Sequence, residues 1–184
     1  VASLPRDFSL IVSLTTCEHR LHCVHVALAS LLRQTLKPDR ILLWVADELR
    51  LPRNVMRLAR RGVEVRRCRH LGPATKILYA LREFPDSIIA TADDDHLYPP
   101  SWLQELYETH RNYPGCVCCH RAHLMLKASP RALKDYRSWL FGAPGVKGPS
   151  PALFPTGGGG VLYPPGSLSE QVHQQELVLC MTPF

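Results

Sequence analysis

The fold is decided by residues 87–95, which run Ser-Ile-Ile-Ala-Thr-Ala-Asp-Asp-Asp. A short apolar run followed at once by charge predicts a buried strand of a parallel sheet. Open α/β sheets bind their ligands at the carboxyl ends of the strands, where Asp93, Asp94 and Asp95 fall. Three adjacent carboxylates repel one another unless a cation or fixed donors compensate them. We therefore expect Mg²⁺ or Mn²⁺ to bridge these acids to a phosphate-bearing ligand, the alternative being a solvated acidic turn.

Asp93 and Asp95 are the expected metal ligands, because side chains two apart in extended backbone point the same way. Either both bind one ion, or one binds the ion while the other binds a ribose hydroxyl. Mg²⁺ usually takes only one or two protein carboxylates and leaves its other positions to phosphates and water. Asp94 then needs a donor of its own.

Outward from this stretch, apolar periodicity predicts strands that alternate with helices. The strands are expected at residues 8–15, 40–46, 63–65, 87–92 and 116–120, and the helices at 21–34, 52–61, 75–84 and 101–112. This order predicts an α/β fold with a mostly parallel central sheet and right-handed crossovers. The periodicity weakens after Ala122, and the Pro- and Gly-rich residues 142–155 are expected to form a loop.

Length and charge narrow the class of protein. The chain has 184 residues, which suits a single domain over 1–184, and its net charge is +6. Six arginines between residues 57 and 69 form either a solvated helix face or a surface for anionic lipid or polysaccharide. Aromatic residues do not interleave with them, so nucleic-acid binding is not expected. The sequence has no apolar run of the roughly 20 residues that a membrane span needs.

The seven cysteines form no compact framework, and their odd number favours a reducing compartment. Residues 116–123 concentrate cysteine and histidine, so a zinc site was weighed. The spacing C-x-C-C-H-x-x-H matches no common structural zinc pattern, and alternate side chains of a strand face opposite ways. We expect buried strand cysteines instead, with His120 and Arg121 near a substrate cleft.

Several segments together resemble a known family. They are IVSLTTCEHR (11–20), LLRQTLKPDRILLWVAD (31–47), LGPATKILYAL (71–81), IIATADDDHLYPPSWL (88–103), CCHRAH (118–123) and FPTGGGGVLYPP (154–165). In this order the chain resembles GT-A nucleotide-sugar glycosyltransferases of the family-2 type that build bacterial surface polysaccharides. The resemblance implies a three-layer Rossmann-like GT-A domain, with a nucleotide-binding half at about 1–115 and an acceptor-side half at about 116–184.

The resemblance also implies a reaction: transfer of a sugar from a nucleoside-diphosphate sugar to a polysaccharide or lipid-linked acceptor. It implies Mn²⁺ or Mg²⁺ as cofactor, inversion at the sugar, and a cytoplasmic location at or near the inner face of the membrane. The residues it assigns to the nucleotide-sugar are Thr15, Arg20, Lys76, Asp93, Asp94, Gly158 and Gly159. Arg20 and Lys76 have the alternative of being solvated helix residues, and the glycines that of a flexible turn.

The general base is the weakest part of the resemblance. In the family a carboxylate beyond the glycine segment takes the proton from the acceptor hydroxyl. Glu170 and Glu176 are the only acids after these glycines, so they are the candidates, and we expect the chain to be short at its C-terminus. Two alternatives remain: an inactive nucleotide-sugar- or carbohydrate-binding relic, and a sugar-phosphate nucleotidyltransferase. The second would want a Gly-rich loop after the first strand, and residues 15–25 contain no glycine.

Overall fold

The computed structural model describes residues 8–143, 145–146, 148–174 and 176–177. Its main feature is a six-stranded sheet in the order β3-β2-β1-β4-β10-β5. The four strands of its first part are β1 (Leu10–Thr15), β2 (Arg40–Ala46), β3 (Val63–Cys68) and β4 (Ile88–Thr91), and they run parallel. The predicted α/β fold with a mostly parallel central sheet is confirmed.

Four helices connect or follow these strands: α1 (Val24–Leu31), α2 (Arg53–Ala59), α3 (Thr75–Glu83) and α4 (Trp102–Asn112). Helices α1, α2 and α4 cover one face of the sheet, where Val12, Leu28 and Leu103 belong to the larger core cluster. Helix α3 covers the other face with Ala80 and Leu81 against Ile11 and Leu42. Three layers result because the strand side chains are apolar on both faces and need cover on each.

The second half of the chain differs most from prediction. Strand β10 (Val161–Tyr163) lies antiparallel between β4 and the short strand β5 (Cys118–Cys119). Two small antiparallel pairs stand apart from this sheet: β6 (Ala122–Leu124) with β9 (Leu153–Pro155), and β7 (Lys127–Ser129) with β8 (Ala132–Leu133). The expected loop at 142–155 therefore ends in a strand.

Element boundaries also shift by a few residues. The third strand continues to Cys68 rather than ending at Val65, because Arg66 and Arg67 still pair with β2. Helix α1 starts only at Val24, after a 3-10 turn at Glu18–Arg20. None of the helices in the described ranges is both long and apolar enough to cross a bilayer.

Candidate metal and donor site

The site forms where two neighbouring parallel strands end. Strands β1 and β4 are in register, with Ser13 opposite Thr91, so the residues that follow each strand lie side by side. Thr15, the predicted ligand contact, donates from Oγ1 to the Trp44 carbonyl at 3.0 Å and so helps hold β1 to β2. Thr16 is the residue that reaches the acids, since its Oγ1 donates to Asp94 Oδ2 at 2.6 Å.

Asp94 is the buried member of the triplet, with only 4% of its surface exposed. Besides the Thr16 hydroxyl, its carboxylate accepts a hydrogen bond from Arg20 Nη1 at 2.8 Å. The hydrogen bond and the charge of Asp94 raise the pKa of Arg20 above its ordinary value. These donors compensate the Asp94 charge, and Asp94 anchors Arg20, while its assignment to the nucleotide-sugar stays a prediction.

Asp95 lies in a more open environment than Asp94. It accepts from Arg20 Nη1 at 2.8 Å, and its Oδ1 lies 2.8 Å from His96 Nδ1. Partial burial pushes the pKa of Asp95 upward, but the His96 hydrogen bond and the Arg20 charge outweigh it and hold this pKa below its usual value. Asp95 is therefore an anion at neutral pH and is available as a metal ligand.

Asp93 is held by helix α3 and by the segment before α4. Its carboxylate forms an ion pair with Lys76 Nζ, and Lys76 is largely buried in the first turn of α3. The Asp93 backbone N–H donates to the Tyr98 hydroxyl at 2.7 Å. Burial raises the pKa of Tyr98, which keeps the phenol protonated at neutral pH. Lys76 therefore contacts the triplet rather than solvent, and its assignment to the nucleotide-sugar stays a prediction.

The donor atoms of Asp93, Asp95 and His96 converge, and one ligand atom from each lies within 4.8 Å of the others. The expectation that Asp93 and Asp95 share a direction agrees with this geometry. His96 was missed, although its position directly after the acids was the available signal. Carboxylate oxygens suit Mg²⁺ and Mn²⁺, and an imidazole nitrogen adds preference for a transition metal, so the residues present fit Mn²⁺ well.

Charge counting describes the electrostatics of the site. The three carboxylates carry −3, and Lys76 and Arg20, both paired to them, contribute +2. The sum with neutral histidine is −1, which disfavours the approach of a diphosphate. A bound divalent cation changes the sum to +1, so the same residues would then attract a diphosphate.

The glycine segment covers this site because β10 pairs with β4, with Val161 opposite Thr91. A Cβ on Gly157 would lie 3.7 Å from Lys76 Nζ and 3.8 Å from Asp93 Oδ2, and one on Gly158 would lie 3.4 Å from His96 Nε2. Glycine therefore leaves the backbone open directly beside the acids. The two glycines predicted to contact the donor, Gly158 and Gly159, both lie in the 3-10 turn Gly157–Gly159.

The far end of the glycine segment is fixed by helix α4. Trp102 Nε1 donates to the Gly159 carbonyl at 2.8 Å. Gly160 has φ +94°, and a Cβ there would lie 2.5 Å from the Trp102 ring, so only glycine fits. On its other side Gly159 faces His120 and Arg121, whose Cβ atoms would lie 3.3 and 3.2 Å from an added Cβ. These two residues therefore border the segment, where the sequence analysis expected the cleft.

The two candidate bases lie elsewhere among the described contacts. Glu170 begins an exposed 3-10 turn, Glu170–His173, whose Val172 packs on the α3 face of the sheet. Glu176 lies 3.9 Å from Arg69. Within the described residues, no contact connects either glutamate to the acidic triplet. The residues from 178 onward, where the sequence analysis expected the chain to fall short, lie outside the described ranges.

Buried strand cysteines were expected in place of a zinc site. The structure describes six of the seven cysteines, since Cys180 lies outside the described ranges. These six are free thiols. Burial raises the pKa of Cys118 to about 11, as expected for a small apolar residue in a strand. Within the described ranges the potential metal group is Asp93, Asp95 and His96, and the cysteine–histidine stretch provides none.

The chain belongs to glycosyl transferase family 2, since the model of that family matches residues 14–143. This range contains Lys76, the acidic triplet and His96. No curated protein sequence matches the chain.

Solved structures show the fold beyond this family. A 4-diphosphocytidyl-2C-methyl-D-erythritol synthase is similar with TM-score 0.51 at 14% identity, over 94% of this chain and 86% of that one. CMP:2-keto-3-deoxy-manno-octonic acid synthetase, solved with CTP, gives TM-score 0.56 at 10% identity, over 95% and 84%. S. aureus TarS 1–349 gives TM-score 0.46 at 15% identity, over 70% of this chain and 39% of that one.

Proposed function

We propose that this domain transfers a sugar from a nucleoside-diphosphate sugar to a polysaccharide or lipid-linked acceptor in the cytoplasm, assisted by Mn²⁺ or Mg²⁺. The observation that carries the proposal is the convergence of Asp93, Asp95 and His96 beside Lys76 and under the glycine segment. Membership of glycosyl transferase family 2 supports the reaction class. The free thiols of the described residues suit a reducing compartment.

Asp93 and Asp95 would hold the cation, and His96 would complete the set from its Nε2. When bound, the cation supplies charge stabilisation to the departing nucleoside diphosphate. His96 leads us to propose Mn²⁺ over Mg²⁺, because an imidazole nitrogen suits transition metals better than the hard Mg²⁺ ion.

Besides the cation, Lys76 would place a second positive group beside the diphosphate. Its ammonium pairs with Asp93. With Asp93 holding a cation, the Lys76 ammonium on α3 would be available to the diphosphate as a point charge. Arg20 is held in place by Asp94. From there it also bonds Asp95 and would orient that carboxylate. Donor binding is therefore coupled to cation binding through Lys76.

The glycine segment would hold the sugar against the acids. Its backbone approaches Asp93 and His96 with no intervening side chain, which leaves N–H groups available for phosphate or sugar oxygens. The acceptor would approach from the side of His120 and Arg121. For inverting displacement an acceptor proton must pass to a base, and Glu170 and Glu176 remain the candidates that the sequence offers.

Two alternatives compete with this proposal. A nucleotidyltransferase is favoured by the two similar folds, a 4-diphosphocytidyl-2C-methyl-D-erythritol synthase and a CMP:2-keto-3-deoxy-manno-octonic acid synthetase. Against it, no glycine lies between residues 15 and 25, directly after β1. An inactive binding module is favoured because no contact among the described residues connects either candidate base to the triplet.

A product assay separates the three functions. The purified protein is incubated with Mn²⁺ and a panel of UDP- and GDP-sugars, with and without a lipid-linked oligosaccharide extract, and products are identified by mass spectrometry. Glycosylated acceptor together with free UDP or GDP supports the proposal. In a parallel incubation with Mn²⁺, CTP and a sugar phosphate, release of pyrophosphate supports the nucleotidyltransferase. Nucleotide binding without any turnover supports the inactive module.

A matched pair of variants tests the role of Lys76. Lys76→Met removes the ammonium that contacts Asp93, whereas Arg82→Met removes a cation from the exposed last turn of the same helix. We expect Lys76→Met to lose most donor affinity and Arg82→Met to behave like the unmodified protein. Equal donor affinity in both variants would contradict a role of Lys76 at the diphosphate.

A further inference from the structure

An exposed hairpin, residues 127–141, projects from the fold beyond the six-stranded sheet. It contains the strand pair β7–β8 and the 3-10 turn Tyr136–Ser138. All twelve residues from 127 to 138 are exposed, which is the longest such run in the described chain. None of the proposed donor chemistry uses this hairpin.

The exposed hairpin and its surroundings are unusually apolar for a solvated surface. Six of the twelve large apolar side chains that are exposed in the described chain lie between residues 133 and 154: Leu133, Tyr136, Leu140, Phe141, Val146 and Phe154. Leu133 is 50% exposed, and Tyr136 and Phe141 are each 47% exposed. Apolar side chains scattered singly need no explanation, but a contiguous group marks an interaction surface.

The aromatic members of this group are contiguous, because their rings pack on one another. Phe141 lies 4.4 Å from the His123 ring, Tyr136 lies 5.3 Å from Phe141, and Trp139 lies 5.1 Å from Tyr136, measured between ring centroids. His123 is buried at the base of the group and accepts the Gly142 N–H at 3.0 Å. We call the rings of His123, Tyr136, Trp139 and Phe141 the ring cluster. Because these rings already pack on one another, the entropic cost of binding a partner is lower.

The charges around the ring cluster identify the partner. The exposed hairpin carries four exposed cations, Lys127, Arg131, Lys134 and Arg137, and one acid, Asp135. The Asp135 carboxylate accepts the backbone N–H of Arg137 at 2.9 Å and caps the 3-10 turn. The net charge of the hairpin is +3, from four cations and one anion. Basic residues interspersed with exposed Leu, Tyr and Phe and with the partly buried Trp139 are the composition of a segment that lies in a membrane interface.

We propose that the exposed hairpin docks on an anionic lipid surface. Leu133, Tyr136 and Phe141 enter the headgroup region, and the four cations bind the lipid phosphates around them. A neutral or cationic surface would not complement the +3 charge, and a purely polar anionic partner would leave the apolar side chains in water. The inference goes beyond the proposed reaction and does not depend on it.

The location of the exposed hairpin gives the docking a consequence for the cleft. Strand β6 follows directly on His120 and Arg121, which border Gly159, and leads into the hairpin. An anchored hairpin therefore keeps the acceptor side of the cleft close to the lipid surface. A lipid-linked acceptor would reach the cleft from that surface without leaving it.

The arginine-rich stretch between residues 57 and 69 is the competing basic surface, and its contacts differ. Arg66 pairs with Glu64 and Glu83, and Arg67 donates to three backbone carbonyls, those of residues 46, 47 and 49. The side chains of Arg66 and Arg67 therefore stabilise the fold through contacts within the protein. The exposed arginines Arg57 and Arg60 on and after α2 provide a matched control of the same charge.

Vesicle sedimentation tests the proposal. The protein is mixed with vesicles of phosphatidylcholine alone, or of phosphatidylcholine and phosphatidylglycerol at roughly 2:1, at about 0.1 M salt. A basic residue near an anionic leaflet contributes about a factor of five in affinity. Reversing two charges in Lys134→Glu/Arg137→Glu is therefore expected to weaken binding at least 25-fold, roughly five times five. Arg57→Glu/Arg60→Glu is expected to bind normally, and Leu133→Asn to bind several-fold more weakly.

Each outcome decides the proposal. Binding that requires phosphatidylglycerol and is lost in the hairpin variants but kept in the α2 variant supports it. Equal loss in both charge-reversed pairs means general basic attraction and overturns it, as does equal binding to vesicles of phosphatidylcholine alone. Absence of vesicle binding, with or without binding of a soluble anionic polysaccharide to the same hairpin, also overturns it. The substituted side chains are all exposed, so unchanged thermal unfolding and UDP affinity serve as the folding controls.

Discussion

Replacing Asp95 by Asn removes one charge from the candidate metal group while keeping its shape. A carboxylate and a divalent cation ~4 Å apart interact with about 8 kcal/mol at an effective dielectric constant of about 20, and with about 2 kcal/mol in bulk water. The Asp95 side chain is 41% exposed, so solvent screening lowers the loss to about 1–2 kcal/mol. We therefore expect Mn²⁺ to bind about 5- to 30-fold more weakly to Asp95→Asn than to the unmodified protein.

The loss of the cation should also be visible in nucleotide binding. The site sums to −1 without the cation and +1 with it, so UDP or GDP affinity should fall when EDTA is added, and Asp95→Asn should lose most of the Mn²⁺-induced gain. Asp95→Ala should lose it entirely, because no oxygen remains at that position. Fold stability should change little, since Arg20 keeps its bond to Asp94.

Two direct measurements check this prediction without requiring turnover. Electron paramagnetic resonance of free Mn²⁺ gives the cation affinity, and calorimetry gives nucleotide affinity with Mn²⁺ or EDTA. Asp86→Asn is the matched control, because it makes the same change in an exposed turn at the other end of β4. Equal Mn²⁺ affinity in the two variants, or UDP binding that EDTA leaves unchanged, would refute the assignment of the cation to this site.

Three further predictions follow from burial and close approach. Asp94→Asn should lower the free energy of unfolding by about 2 kcal/mol, measured by urea denaturation, because a buried carboxylate loses its charge-assisted bonds. Gly160→Ala should lower the free energy of unfolding by at least about 2 kcal/mol in the same measurement, since its Cβ would overlap the Trp102 ring. Gly158→Val, in contrast, should leave the unfolding midpoint nearly unchanged and weaken donor binding in calorimetry. Cys118 should resist iodoacetamide at pH 8 in native protein, by mass spectrometry, because a pKa of about 11 leaves roughly one thiol in a thousand ionised.

The sequence predicted the strands that are apolar throughout, and β2 was located to the residue at Arg40–Ala46. The resemblance singled out Lys76 for the diphosphate but did not predict its ion pair with Asp93, which joins residues 17 positions apart. The strand expected at residues 116–120 is present as the shorter β5, but the short strands β6 to β9 were not predicted. Runs of two or three residues are too short for a period to appear, and their pairing depends on contacts far along the chain.

Within the site, the sequence could not predict which way the side chains point after the strands end. Period-two alternation separated Asp94 from Asp93 and Asp95, but it could not show that Asp94 would turn into the fold toward Thr16 and Arg20. It could not show that His96 would turn back toward the acids either, because the backbone leaves extended geometry there. The closeness of the glycine segment to Asp93 depends on the β10–β4 pairing, a contact between residues about 70 positions apart.

The indole of Trp102 provides an intrinsic spectroscopic probe of the cleft. Its N–H is bonded to the Gly159 carbonyl, its ring packs 4.5 Å from that of Tyr98, and Tyr98 in turn holds the backbone of Asp93. A ligand that shifts the glycine segment or the acids must therefore change the polarity around this ring and with it the emission wavelength. The other two tryptophans, Trp44 in the core and Trp139 in the exposed hairpin, are distant in sequence and can be replaced by Phe. The remaining fluorescence would then follow occupancy of the donor cleft in real time, without a label.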